Sequence, residues 1–252
     1  MNGANVSVSS LLIASSLVLV SLLFSYAQKL KLEKETIISV VRAVVQLIAV
    51  SYVLAYVFGL NNPIFTTLLV LFMTVNAAYN AAKRGKAIKK GFYISFISIA
   101  VGTGITLCVL VFSGAIKYEP NQIIPICGMI ISNAMIALGL CFRQLSADFK
   151  SRRDEVETKL ALGADILPSS IEILRNSIRT GMIPTIDSAK TLGIVSLPGM
   201  MTGLILAGAS PLLAIRYQIL VTFMLLSTTA ISSFMACYLY YRTFFNNRKQ
   251  LL

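Results

Sequence analysis

Six polar side chains stand in stretches that are otherwise apolar, and their types suit ion handling rather than covalent chemistry. Arg42 and Gln46 lie one helical turn apart, Asn76 and Asn80 repeat that spacing, Asn133 closes the run Gly128-Met-Ile-Ile-Ser-Asn133, and Asp187 precedes a Gly-rich apolar segment together with Lys190. Ionisable and amide groups at membrane depth are costly, so they are candidates for function; interhelical hydrogen bonding is the plainer role for any single amide. A guanidinium there must be compensated. Asp187 is the acidic residue expected at a comparable level, so Arg42 and Asp187 are expected to pair. The Asp187 carboxylate with amide oxygens from Gln46, Asn76 or Asn80 would make a hard-cation site, with Asp187 as the metal ligand. Met200, Met201 and cysteine offer the softer alternative, although Met more often packs.

Much other chemistry is excluded. The 252 residues contain no histidine, which removes imidazole-based triads, dyads and metal sites. No GxxxxGK[ST] occurs, so the chain cannot cradle ATP phosphates in a P-loop. The last apolar run has no lysine for a retinal Schiff base, and one intramembrane aspartate cannot form an aspartyl protease pair. Cys108, Cys127, Cys141 and Cys237 form no CxxC and read as small buried side chains.

The elements that must hold these groups are membrane spans. The sequence is 56% hydrophobic and 13% charged, against roughly 25% charged for a soluble domain. Seven apolar segments approach the roughly 20 residues of a crossing: 7–27, 37–60, 64–82, 92–114, 121–142, 191–209 and 217–241. No β-barrel alternation appears, so the expected fold is all-α, a polytopic single domain over residues 1–252. The start, MNGANVSVSS, has no basic residue before the first apolar run and reads as leading into a retained span. Turns are expected at Gly59–Pro63 and Tyr118–Asn121.

Of the 22 Lys and Arg residues, 19 fall in the segments between spans one and two, three and four, five and six, and in the C-terminal tail. The opposite side has Lys117 and Arg216. The positive-inside rule then places the N-terminus outside and the C-terminus in the cytoplasm, in agreement with an odd number of spans. The +12 net charge is thereby accounted for without nucleic acid.

The long connection, 143–190, is expected to be a cytoplasmic helical hairpin between helices five and six. Span five should continue to about Leu162, supported by the i,i+4 pairs Arg153–Glu157 and Glu155–Lys159, with Gly163 as a stop. A short helix should open at Pro168 and end near Arg179, before Gly181, with Ile171, Leu174 and Ile178 on one face. Leu160, Ala161, Leu162 and Ala164 would then sit at a tip that wants a partner; a solvated linker is the bland alternative. Span six should open at Pro184 and break at Pro198-Gly199. A broken helix can present half-helix ends to a substrate, while Gly199-Met-Met-Thr-Gly203 equally fits close helix packing.

The stretch Ile183 to Gly203, with Leu206-Ala-Gly208, Pro211 and Ala214-Ile-Arg-Tyr-Gln218, resembles the FetB family of bacterial iron-export permeases and its plant aluminium-tolerance relatives. Arg42 with Gln46, Gly128–Asn133 and Glu157–Ala164 extend the likeness over nearly the whole chain. Leu204 stands where the family pattern has Gln, and Ser132 where it has Gly. The resemblance implies the permease subunit of an ABC transporter in a bacterial cell membrane, not itself an enzyme and binding no cofactor, with ATP bound by a separate ATPase subunit. That subunit would dock at Glu157, Leu160, Leu162 and Gly163, making 143–190 a coupling segment, and two permeases would assemble with two ATPases. Iron or a related metal ion is the implied cargo, with a nucleotide sugar as the alternative from the plant relatives. An ATP-independent secondary transporter or scaffold is the reading from a different class.

Overall fold

Long apolar runs with short Pro- and Gly-marked breaks become helices in the computed structural model, which describes residues 7–60, 62–84 and 91–252. Lys86, Lys89 and Lys90, counted above among the basic residues, lie outside the described residues. Among the described residues there are no strands, only two isolated bridges, Leu192–Ser196 and Phe245–Leu251. The chain divides into two units at residues 61 and 62.

The first unit holds α1 (Val8–Ala27) and α2 (Glu33–Leu60). The Ser7 hydroxyl accepts the Ser10 amide at 3.1 Å and so caps α1. The turn into α2 is tied by the Ser25 hydroxyl, which donates to Glu33 at 2.8 Å. At 28 residues α2 is about 42 Å long, enough to cross a bilayer core.

The second unit holds α3 (Pro63–Arg84), α4 (Gly91–Phe112), α5 (Pro120–Ser151), α6 (Arg153–Ala161), α7 (Ile166–Thr191), α8 (Gly199–Leu206), α9 (Pro211–Tyr240) and a 3₁₀ turn, Tyr241–Phe244. Helix α5 is central and packs on α3, α4, α7 and α9. Its buried positions Ile123, Cys127, Ile130, Ala134, Leu138, Cys141 and Leu145 recur every three or four residues, which is one continuous helical stripe. Small residues allow the close crossings. A Cβ on Gly181 of α7 would strike Cys141 Sγ and come within 3.0 Å of the Ala137 carbonyl on α5. Helices α4 and α9 are joined by hydroxyls: Thr106 bonds Thr228 at 2.7 Å, and Ser232 donates to the Ser98 carbonyl at 3.0 Å.

Among the described residues, five helical segments are long and apolar enough to span a membrane: α2, α3, α4, α5, and α9 with its 3₁₀ turn; a shorter apolar helix covers Ile13–Ala27. The sequence expectations for those six segments agree with the helices observed. The expected sixth span, 191–209, does not form one helix. Residues 192–198 are non-helical and α8 has only eight residues. Pro184 does not open a helix but lies inside α7, and the helix expected to stop before Gly181 runs on to Thr191. Packing on α5 outweighs the local cost of Gly and Pro there. Span five likewise does not run unbroken to Leu162: α5 ends at Ser151, and α6 restarts after Arg152. Helix α8 begins at Gly199, with Pro198 in extended conformation before it. No atom lies within 4 Å of the Cβ positions of Gly199 or Gly203, so this GxxxG makes no close packing among the described residues.

Candidate functional site

The break between α7 and α8 opens onto a cavity. Thr191 ends α7, and its carbonyl oxygen accepts the amides of Val195 at 3.0 Å, Ser196 at 3.3 Å and Ile194 at 3.4 Å. That local knot folds the link tightly and leaves Ile194 and Val195 exposed. Behind it lies a cavity of about 270 Å³ walled by Asn133 of α5, Thr185 and Ser188 of α7, Ser196 of the link, and Gln218 and Thr222 of α9. A second cavity of about 290 Å³ shares Leu192, Pro198, Gln218 and Thr222 with the first and adds Met201 of α8.

The polar lining carries no formal charge. The Asn133 amide nitrogen donates to the Met129 carbonyl at 2.9 Å, and the Thr222 hydroxyl donates to the Gln218 main-chain carbonyl at 2.9 Å. Gln218 is only 9% exposed, and its Oε1 has no hydrogen-bond partner. An acceptor left unsatisfied in the interior costs about 1–3 kcal/mol, so its presence asks for an explanation.

The sequence-derived candidates fall in different places. Asn133 and Pro198 line the cavity. Asp187 is exposed on α7, where its carboxylate accepts Lys190 Nζ at 3.0 Å. Asn76 and Asn80 are exposed on α3 and bond to each other, Nδ2 of Asn80 donating to Oδ1 of Asn76 at 2.8 Å. Arg42 and Gln46 are exposed on α2, in the first unit. Among the described residues no group of three or more His, Cys, Asp or Glu side chains comes together as a metal ion would need. Gln218, Thr185, Ser188 and Thr222 were not singled out from the sequence. An amide inside an apolar run is the signal that marked Asn133, and it applies equally to Gln218 at the start of the 217–241 run.

The second candidate element is the hairpin. Both expected ion pairs form, Arg153 to Glu157 at 2.7 Å and Lys159 to Glu155 at 2.6 Å, and Arg152 adds a further bond to Glu155 at 2.7 Å. Hydrogen bonds from Arg152 and then Lys159 hold the Glu155 carboxyl down at about 2. Gly163, with φ +92°, makes the left-handed stop after α6. Asp165 caps α7 through the Ile166 amide at 2.9 Å and pairs with Lys249 at 2.9 Å, which lowers its carboxyl below the usual range.

The tip differs from the expectation in which side chains it presents. Leu162 is 83% exposed, whereas Leu160 is half-buried against the core. The C-terminal tail, read from the sequence only as a basic segment, packs here. Phe149 stacks on Phe244 with centroids 4.4 Å apart, and Arg153 reaches the main-chain oxygen of Leu252 at 3.4 Å. A cleft of about 620 Å³ separates the tail from the hairpin, between Glu157, Leu160 and Gly163 on one side and Arg248 to Leu251 on the other.

The model of the family described as "Uncharacterised protein family (UPF0014)" matches residues 8–245. The chain belongs to the UPF0014 family. Over 252 residues it is 53% identical to "Probable iron export permease protein FetB" of Escherichia coli (strain K12), covering 100% of this chain and 97% of that protein. It is 39% identical to "Protein ALUMINUM SENSITIVE 3" of Arabidopsis thaliana, over 93% of this chain and 86% of the relative. It is 37% identical to "UPF0014 membrane protein YjkA" of Bacillus subtilis (strain 168), over 96% and 97%. No solved structure matches. The resemblance drawn from the sequence is thereby established at the level of the UPF0014 family, and with its membrane-length apolar helices the chain is a multi-pass membrane protein.

Proposed function

We propose that the chain is the permease subunit of an ABC transporter that exports iron or a related metal ion, driven by a separate ATPase subunit. The observation that carries this reading is the 53% identity, over the full chain, to a protein named as a probable iron export permease. The lack of a P-loop supports ATP binding by another polypeptide. The ion-paired α6 ending in exposed Leu162 supports a docking element, with Glu157, Leu160, Leu162 and Gly163 around it. In this reading two permeases and two ATPases make the complete transporter.

The membrane path is seven crossings with the N-terminus outside and the C-terminus in the cytoplasm. Helices α1 to α5 and α9 supply six of them. The sixth in order is composite: the second half of α7, the 192–198 link and α8. Polar side chains of the spans, namely Asn76, Asn80, Asn133 and Asp187, belong to the substrate pathway; Arg42 and Gln46 of α2 are assigned a role in transport on their own account. The test is reconstitution of the chain with a lone ATPase subunit in proteoliposomes. Ferrous iron should stimulate ATP hydrolysis, and ATP should drive iron across the membrane. Iron movement independent of ATP, or an ATPase that never associates, would overturn the reading.

A further inference from the structure

Arg84 closes α3 against a notch in α5. The buried residues Ala77 and Ala81 of α3 recur at helical spacing, and Arg84 continues that stripe one turn later. Its side chain runs across the buried Gly139 of α5. A Cβ built on Gly139 would lie 2.6 Å from Arg84 Cδ, 3.2 Å from Nη1 and 3.5 Å from Nε, so only a glycine gives this side chain its seat. Arg143 stands one turn after Gly139 on the same face of α5. Helical side chains lean toward the N-terminus, which directs the Arg143 guanidinium back toward the same place. Both arginines are exposed, and every ion pair among the described residues is made by other cations.

Two guanidiniums on one helix face, without a carboxylate to neutralise them, suit an anion from outside the chain. Their planar donor forks match the oxygens of a phosphate. Position says which phosphate. Arg84 and Arg143 follow directly on the apolar runs 64–82 and 121–142, the level at which basic side chains between spans meet lipid headgroups. Ile136, exposed one turn before Gly139, offers an acyl chain an apolar surface on the same face of α5. The α6 hairpin starts beyond Ser151, about 12 Å further along α5, which favours a lipid over a subunit seated on the hairpin.

We propose that Arg84 and Arg143, placed around Gly139, bind the phosphate of an anionic phospholipid and so fasten the end of α3 to α5. The site requires only that the chain lies in a bilayer, and it holds whatever the cargo is. Gly139 is a positioning residue: it carries no charge and acts by letting Arg84 lie against α5.

The test is native mass spectrometry of the full chain in detergent, with phosphatidylglycerol as the probe and phosphatidylcholine and inorganic phosphate as comparisons. Phosphatidylglycerol should be retained over phosphatidylcholine, and excess inorganic phosphate should not displace it. Arg84→Ala and Arg143→Ala should each weaken its retention at least about tenfold, the scale of one lost hydrogen bond to a charged group. Gly139→Ala should weaken it too, with both charges still present, because the added methyl moves Arg84 off its seat. Arg179→Ala is the control. It removes an exposed cation of α7, a helix that packs through Gly181 on Ala137 and Cys141, the opposite side of α5 from Gly139, and it should change retention little. Arg143→Ala removes an exposed side chain and should leave the thermal midpoint in phosphatidylcholine unchanged, so its effect on retention decides the case even where Arg84→Ala or Gly139→Ala disturbs packing. Equal retention of the two lipids, or displacement by inorganic phosphate, overturns the proposal. Full retention by Arg143→Ala or by a folded Gly139→Ala overturns it as well, and so does a loss in Arg179→Ala as large as in Arg143→Ala, which would mean diffuse charge rather than a site.

Discussion

Asp148 of α5 accepts Nδ2 of Asn176 of α7 at 2.7 Å through Oδ2, while its Oδ1 accepts Nε2 of Gln144 at 2.8 Å. This buried carboxylate ties the C-terminal end of α5 to α7, three residues before α5 ends at Ser151. It fixes the root from which the α6 hairpin projects. Replacing Asp148 with Ala leaves two amide donors without their acceptor. Because an unsatisfied buried polar group costs about 1–3 kcal/mol, Asp148→Ala should lower the thermal midpoint clearly. Asp148→Asn keeps one acceptor oxygen and should cost less. Equal midpoints for the two variants in scanning fluorimetry would remove the carboxylate from this role.

The two leucines of the hairpin should behave differently. Leu162 is exposed and Leu160 packs on the core. Leu162→Asp should release the ATPase subunit from a permease that still folds and inserts. Leu160→Asp should instead destabilise the permease itself, by burying a charge beside apolar side chains. Co-purification measured alongside the thermal midpoint separates the two effects; loss of folding from Leu162→Asp would contradict the exposed tip.

The ion pairs of α6 set a pH dependence whose sign is definite. Glu155 is held at about 2, against an ordinary value of 4.5, first by the Arg152 hydrogen bond and then by Lys159. A lowered carboxyl contributes stability above its unfolded value, and that contribution is lost as pH falls from there through the folded value. Carbon-13 titration of the Glu155 carboxyl should therefore give a midpoint near 2, and Arg152→Ala should raise it toward 4.5. A native midpoint already near 4.5 would show that the pairs do not persist in solution.

Gly181 permits the close approach of α7 to α5. A methyl group there would strike Cys141 Sγ and lie 3.0 Å from the Ala137 carbonyl. Overpacking of this kind costs about 1–3 kcal/mol. Gly181→Ala should lower the thermal midpoint, and Gly181→Ala combined with Cys141→Ala should recover part of the loss. Gly203→Ala, with open space around its Cβ position, serves as the control and should change the midpoint little.

The charge asymmetry makes the topology testable. Nineteen of the 22 Lys and Arg residues lie on one side of the seven apolar segments read from the sequence. A reporter fused after Leu252 should be active in the cytoplasm, and one placed before α1 should be active outside. The reverse pattern would overturn the proposed orientation.

Local signals were sufficient for much of this molecule. Apolar run length identified an all-helical membrane chain and located six of its apolar helices, because lipid leaves backbone groups no partners outside the helix. The pairs Arg153–Glu157 and Glu155–Lys159, and the stop at Gly163, depend only on spacing along one helix and were readable directly. Features that depend on several helices at once were not. Gly181 and Pro184 read as a boundary, yet α7 continues through both because Gly181 fits against Ala137 and Cys141 of α5, a contact 40 or more residues away in sequence. The cavity at Gln218 exists only where α5, α7, α9 and the 192–198 link converge, so no window of sequence contains it. The tail was a basic segment until Phe149 gave Phe244 a surface to stack on. Composition and periodicity act within one element; which elements meet is set by complementary side-chain volumes, and those appear only once the helices are packed.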